Sequence, residues 1–194
     1  MTRNTRPTQV VAVCGSLATD SVTRVALQEA LSAAEAADAR TSLVDLREYH
    51  LPTFDPDEQD AGDAPELRRR LREADAVLLG TPMYHGSFSS PLKTALDYSG
   101  FDEFEDTTVG LLAVSGGGFP RPALEQLRSV SRALDAWTLP LDVAVPNSYE
   151  QVDDDELADD AIRDRVRDLG AELVRHAGIA RYPNIAETTP QHAD

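Results

Sequence analysis

The chain has 194 residues, an apolar fraction of 41% and a formal net charge of -16, a globular composition of a size expected to form one compact domain. So acidic a surface, with Lys93 as the only lysine in the chain, argues against binding a nucleic-acid backbone, and no apolar run is long enough to span a bilayer. Heavy Asp usage with Arg in place of Lys is the composition of a halophilic protein, since salt shortens the reach of self-repulsion.

The start, Met1 to Gln9, runs into a valine-rich stretch without a small-residue cleavage site, so an export signal is not expected. The first strand is Val10-Val11-Ala12-Val13-Cys14, continuous enough to be buried on both faces. Cys14 is the single cysteine and reads as a buried, inert thiol; a cytoplasmic location follows. Gly15-Ser16 then leads into a helix from about Asp20 to Ala37. A second strand covers Thr41 to Leu46, and a Pro- and Asp-rich segment, Pro52 to Asp63, precedes a helix from Pro65 to Glu73.

The third strand, Ala76 to Thr81, is expected to stop at Pro82, with a helix from Ser90 to Tyr98 beyond the loop. The fourth, Val109 to Val114, is followed by Ser115-Gly116-Gly117-Gly118 and a helix from Pro122 to Ala136. The fifth covers Leu141 to Val145; an acidic linker around Asp153 to Asp155 leads to a closing helix from Glu156 to His176. Strands alternating with helices predict an α/β fold, a three-layer, doubly wound, five-stranded parallel sheet in the order 2-1-3-4-5. The domain is expected over 8–180, with 1–7 and 182–194 as flexible tails. Ligands of such sheets sit beyond the carboxyl ends of the strands, so the loops after strands one, three and four carry the expected chemistry.

The first of these loops, Gly15 to Arg24, is a phosphate cradle in the making: amides at a helix start attract an anion, and Ser16, Ser21 and Thr23 add hydroxyls. Equally, Asp20 or Ser21 alone would serve as an ordinary helix cap. It lacks the endings of nucleotide-triphosphate and dinucleotide loops, which leaves a monophosphate as the better fit. In the second loop, Pro82, Gly86 and the aromatic Tyr84 build a stiff wall for a flat ring; taken alone, Tyr84 and His85 read as a partly buried aromatic and a surface histidine. The third loop, Ser115 to Phe119, permits close backbone approach, as would any tight turn.

Taken together, these loops resemble the NADPH-dependent FMN reductase family of flavodoxin-like proteins, which includes quinone, azo-dye and metal reductases. The family's first motif, Gly-Ser-x-Arg-x-x-Ser-x-Asn, is matched at Gly15, Ser16 and Ser21, with Ala18 and Thr23 departing from it; Arg24 stands close enough in sequence to replace the missing arginine. Its second motif is matched at Pro82, Tyr84, Gly86, Ser87, Leu92, Lys93, Ala95, Leu96, Asp97 and Tyr98, whereas Met83, His85 and Thr94 differ.

The resemblance implies FMN, with NADPH or NADH as electron donor and a small-molecule acceptor. Its contacts would be Ser16, Ala18, Ser21, Val22 and Thr23, then Pro82, Met83, Tyr84, His85, Gly86 and Ser87, then Ser115, Gly116, Gly117 and Gly118. No metal ligand and no catalytic acid or base is expected, because hydride transfer is the cofactors' own chemistry. Arg121 reads as a contact for the donor's phosphates or as a solvated helix-start arginine. Lys93 and Asp97 form either a plain i,i+4 pair or, as the resemblance implies, part of a homo-oligomer interface. An electron carrier reduced by a protein partner and a flavin-free binding module are the competing classes.

Overall fold

The computed structural model describes residues 6–153 and 156–179; the expected tails, apart from Arg6 and Pro7, and Asp154 and Asp155 of the expected linker lie outside the described residues. In chain order the elements are β1 (Gln9–Cys14), α1 (Val22–Ala36), β2 (Arg40–Asp45), α2 (Ala64–Arg72), β3 (Ala76–Tyr84), β4 (Ser87–Phe88), α3 (Ser90–Asp97) and α4 (Phe101–Phe104). They continue with β5 (Thr108–Val114), α5 (Arg121–Ala133), β6 (Trp137–Val145), β7 (Val152–Asp153), β8 (Glu156–Leu157) and α6 (Asp160–His176). Five strands pair in parallel in the order β2-β1-β3-β5-β6. This is the expected 2-1-3-4-5 order, renumbered because the short β4 folds back antiparallel onto the end of β3.

Alternation along the strands builds two cores. Val10, Ala12 and Cys14 of β1 face a cluster closed by α1 and α6, while Val11 and Val13 face one closed by α2, α3 and α5. The same division holds in β3, with Ala76 and Leu78 on one side and Val77 and Leu79 on the other. Each fully buried Leu or Val adds about 2 kcal/mol relative to exposure, which is why β-branched, two-sided runs settle in the middle of such a sheet. On the first face Gly170 brings α6 directly onto α1: a Cβ there would lie 2.0 Å from the Ala30 carbonyl oxygen.

Three boundaries differ from the sequence reading. Strand β3 runs through Pro82 to Tyr84, since β1 ends opposite Gly80 and leaves no neighbour on that side to miss a donor. Strand β6 begins at Trp137 rather than Leu141; Pro140 is tolerated because β6 is the sheet edge, and the pairing with β5 shifts register between Val109 and Leu111. On either side of Asp154 and Asp155, Val152–Asp153 and Glu156–Leu157 pair as antiparallel β7 and β8, so the closing helix expected from Glu156 starts as α6 at Asp160, capped by Asp159. No helix among the described residues is long and apolar enough to cross a membrane.

Candidate functional site

Loop 1 leaves β1 at Gly15 and is fastened at once to its neighbours. The Gly15 N–H donates to Gly80 O at 2.8 Å, and Ser89 Oγ donates to Gly15 O at 2.7 Å. Ser89 is itself the cap of α3, and its N–H is held by Thr81 Oγ1 at 2.9 Å. No side chain fits at position 15, because a Cβ would lie 2.7 Å from Ser89 Oγ, 2.9 Å from Leu92 Cβ and 3.1 Å from Gly80 O.

Beyond Gly15, Ser16 is buried and its Oγ accepts from Ala18 N at 3.4 Å. Ser21 caps α1, accepting from Arg24 N at 3.1 Å, so the capping role is real. It does not exhaust the loop's donors: among the described residues no protein acceptor receives the N–H groups of Ser16, Leu17, Thr19, Asp20, Ser21, Val22 or Thr23. Such a run of amides at a helix start is the donor set of an anion site.

Arg24 is occupied. Its Nε donates to Asp45 Oδ2 at 2.6 Å, and its Nη atoms donate to Thr19 O and Ala18 O at 3.0 and 3.2 Å; the hydrogen bond to Asp45 raises its pKa. Arg24 therefore braces the loop rather than replacing the motif's missing arginine as a free cation. With every described peptide trans, turning the carbonyls of Ala18 and Thr19 toward Arg24 aims the N–H groups of Thr19 and Asp20 the opposite way.

Loop 2 is a hairpin. Tyr84 pairs with Ser87 and Met83 with Phe88, and the two residues between, His85 (φ 51) and Gly86 (φ 80), are both left-handed, the requirement of a type I′ turn. Tyr84 and His85 are exposed; Pro82, Met83, Gly86 and Ser87 are half-buried. Gln126 of α5 clamps the tip, accepting from Ser87 Oγ at 2.6 Å and donating to Gly86 O at 3.1 Å.

Loop 3 is tied down by the segment after β6. Ser115 N–H donates to Val145 O at 2.9 Å, Asn147 N–H to Gly117 O at 2.7 Å and Ser148 N–H to Ser115 O at 2.9 Å, while Ser115 Oγ bonds Gly118 O. Gly116, Gly117 and Gly118 are exposed, and a Cβ on Gly116 would come within 2.9 Å of the Tyr149 ring. Ser148 and Tyr149 also line, with Thr19 to Val22, a cleft of about 820 Å³. Loops 1, 2 and 3 thus follow the carboxyl ends of the neighbouring strands β1, β3 and β5, loop 1 bonded to β3 and sharing a cleft with the segment that ties down loop 3.

Gln126, Ser148 and Tyr149 had no motif to announce them. Cys14 is buried, and burial pushes its thiol pKa up, as expected of an inert sulfur. Lys93 Nζ and Asp97 Oδ2 are 2.7 Å apart on the exposed face of α3.

A doubly wound parallel sheet with an amide-rich loop and helix start after β1, a stiff hairpin after β3 and a glycine loop after β5 defines a flavodoxin-like protein. The chain matches the NADPH-dependent FMN reductase family over residues 8–150 and belongs to it. It is 33% identical over 122 residues to an FMN-dependent NADPH-azoreductase of Staphylococcus saprophyticus, covering 61% of this chain and 65% of that one. With an FMN-dependent NADPH-azoreductase of Staphylococcus aureus it shares 38% identity over 97 residues, half of each chain. The chain thus covers less than two thirds of the length of either relative. In fold it is similar to FerB, a flavoenzyme NAD(P)H:(acceptor) oxidoreductase from Paracoccus denitrificans, with TM-score 0.71, 20% identity and coverage of 87% of this chain and 96% of that one. The residues present suit FMN: main-chain amides and hydroxyls for a phosphate, and glycines where a ring must approach the backbone.

Proposed function

We propose that the chain is an FMN-dependent NAD(P)H oxidoreductase of the flavin or quinone reductase type, passing a hydride from a reduced nicotinamide through FMN to a small-molecule acceptor. The observation that supports this reading is the fastening of an amide-rich loop to the strand that carries the hairpin, through Gly15, Ser89 and Thr81, with Gln126 of α5, the helix that follows the glycine loop, holding the hairpin's tip.

Ser16, Ala18, Ser21, Val22 and Thr23 would hold the phosphate, with amide dipoles doing what cationic side chains do elsewhere. Pro82, Met83, Tyr84, His85, Gly86 and Ser87 would wall one side of the ring, and Ser115, Gly116, Gly117 and Gly118 the other. FMN, when bound, supplies the centre that accepts and returns the hydride. The chain's part is to fix the ring and leave one face open to donor and acceptor in turn. That role needs no side-chain acid or base. Anaerobic mixing of FMN-loaded protein with NADPH and with NADH should bleach the yellow colour with at least one of them. Yellow protein that neither reduces would make it an electron carrier, and protein that takes up no FMN would make it a flavin-free module.

The reading extends to a cytoplasmic homo-oligomer built from one domain over 8–180, with Lys93 and Asp97 at the subunit contact. Their pair on α3 leaves both side chains exposed, at 53% and 37%, and as a lone surface pair it is worth only tenths of a kcal/mol. Gel filtration and thermal unfolding at low and high salt should show a dimer or tetramer and a midpoint that rises with salt. A monomer at high salt would overturn the interface, and a flat midpoint would overturn the halophilic reading.

A further inference from the structure

Four carbonyls of loop 1 are each taken by a side chain of the protein. Gly15 O accepts from Ser89 Oγ at 2.7 Å, and Cys14 Sγ donates weakly to Ser16 O at 3.9 Å. Ala18 O and Thr19 O accept from Arg24 Nη2 and Nη1 at 3.2 and 3.0 Å. In a planar trans peptide the carbonyl of one residue and the N–H of the next point opposite ways. The N–H groups of Ser16, Leu17, Thr19 and Asp20 are therefore aimed away from these side chains, and no protein acceptor among the described residues receives them.

Arg24 occupies two of the four carbonyls, and Asp45 decides where Arg24 stands. Asp45 ends β2 and is 9% exposed; its Oδ2 accepts from Arg24 Nε at 2.6 Å, and its Oδ1 accepts from Arg47 N at 3.2 Å. The guanidinium is thus divided, with Nε on the carboxylate and both Nη atoms on main-chain carbonyls, and its rigid planar fork serves all three in one orientation. Only 18% of the Arg24 side chain is exposed. A carboxylate this close to an anion loop repels the anion, and it cancels the charge of the one arginine beside it. Its position is explained if the loop needs the orientation of Arg24 more than its charge.

We infer that Asp45 is a positioning residue for the flavin phosphate. Acting through Arg24, it turns the Ala18–Thr19 and Thr19–Asp20 peptides so that their N–H groups face the anion, and the pair thereby sets the preference for FMN over riboflavin. The inference rests on the proposed binding of FMN. It reverses the sign expected of a phosphate-binding arginine, since releasing Arg24 from its carboxylate weakens the phosphate site.

Fluorescence titration of the flavin-free protein with FMN and with riboflavin tests it in wild type, Asp45→Ala and Arg24→Lys. Asp45→Ala removes a negative charge near the phosphate and frees the arginine. Arg24→Lys keeps the positive charge but replaces the fork by a single ammonium. Both should weaken FMN by about tenfold or more and change riboflavin by less than about twofold. Tighter FMN in Asp45→Ala, or unchanged FMN in Arg24→Lys, would make Arg24 a direct cation and overturn the inference. Equal losses for the two flavins would also overturn it, reducing the pair to a tie between α1 and β2. Circular dichroism checks the fold, and Arg24→Lys decides the matter if Asp45→Ala does not fold. Thermal midpoints in inorganic phosphate separate this inference from the flavin reading. A midpoint that rises with phosphate in wild type but not in Arg24→Lys would uphold the positioning role even in a protein that takes up no flavin. FMN uptake with equal affinity in all three proteins would uphold the flavin and remove the positioning role.

Discussion

Replacing Gly15 with alanine should lower the stability of the protein by about 3 kcal/mol and weaken FMN by at least about tenfold. The added methyl meets three neighbours at once, and two of them have little freedom to yield. Gly80 O is main chain in a central strand and accepts the Gly15 N–H, and Leu92 Cβ belongs to the first turn of α3. Ser89 Oγ could rotate away, but in doing so it would surrender both its bond to Gly15 O and the cap on α3. Relief therefore requires loop 1 to lift off β3, which carries the amide cradle away from the hairpin. Chemical unfolding followed by fluorescence, and FMN titration of the folded variant, measure the two effects. Wild-type FMN affinity in Gly15→Ala would show that the cradle does not depend on this fastening.

Gly170→Ala should be destabilising to a similar or larger extent, about 3 kcal/mol or more, but through a different part of the molecule. Its methyl would fall 2.0 Å from Ala30 O and 2.9 Å from Ala30 C. Both atoms lie in the backbone of α1, so no side-chain rotation makes room and the two helices must separate. Separation opens the apolar cluster that Ala30 shares with Leu27, Val166, Leu169 and Leu173. Ala30 lies eight residues beyond Val22 on α1, about 12 Å from the cradle end of the helix. Damage there leaves the loop's own contacts in place. FMN at a hundredfold excess over its dissociation constant should therefore restore about 2.7 kcal/mol to Gly170→Ala through binding linkage, while restoring much less to Gly15→Ala at the same concentration. Thermal midpoints of both variants with and without FMN make the comparison; equal recovery by the ligand would contradict this separation of roles.

Much of the architecture could be read from local pattern because burial leaves a local trace. Val10 to Cys14 and Ala76 to Leu79 are apolar without alternation, which only a strand covered on both faces requires, and the helices between them imply parallel order. The cap at the start of α1 was legible for a similar reason: Ser21 accepts from Arg24 N where it stands, at a helix start. Local pattern misled at Pro82 and Pro140. A missing N–H ends a strand only where a neighbour would have used it, and the absence of that neighbour is a property of the sheet.

What tertiary structure alone decided are the contacts between distant segments. Gln126 meets the hairpin some 40 residues earlier, Tyr149 covers Gly116, Arg24 turns to Asp45 and away from the role of free cation, and Gln151 Oε1 is buried with no partner among the described residues. The residue types alone do not announce these arrangements, since glutamine, tyrosine and arginine are equally at home on any surface. Sequence spacing records periodicity along one element, whereas a hydrogen bond between elements depends on how the sheet sets their ends beside one another. For this protein the apolar runs determined the sheet and which ends of its strands carry the loops, and the packing of those loops against one another determined which of their side chains are already engaged.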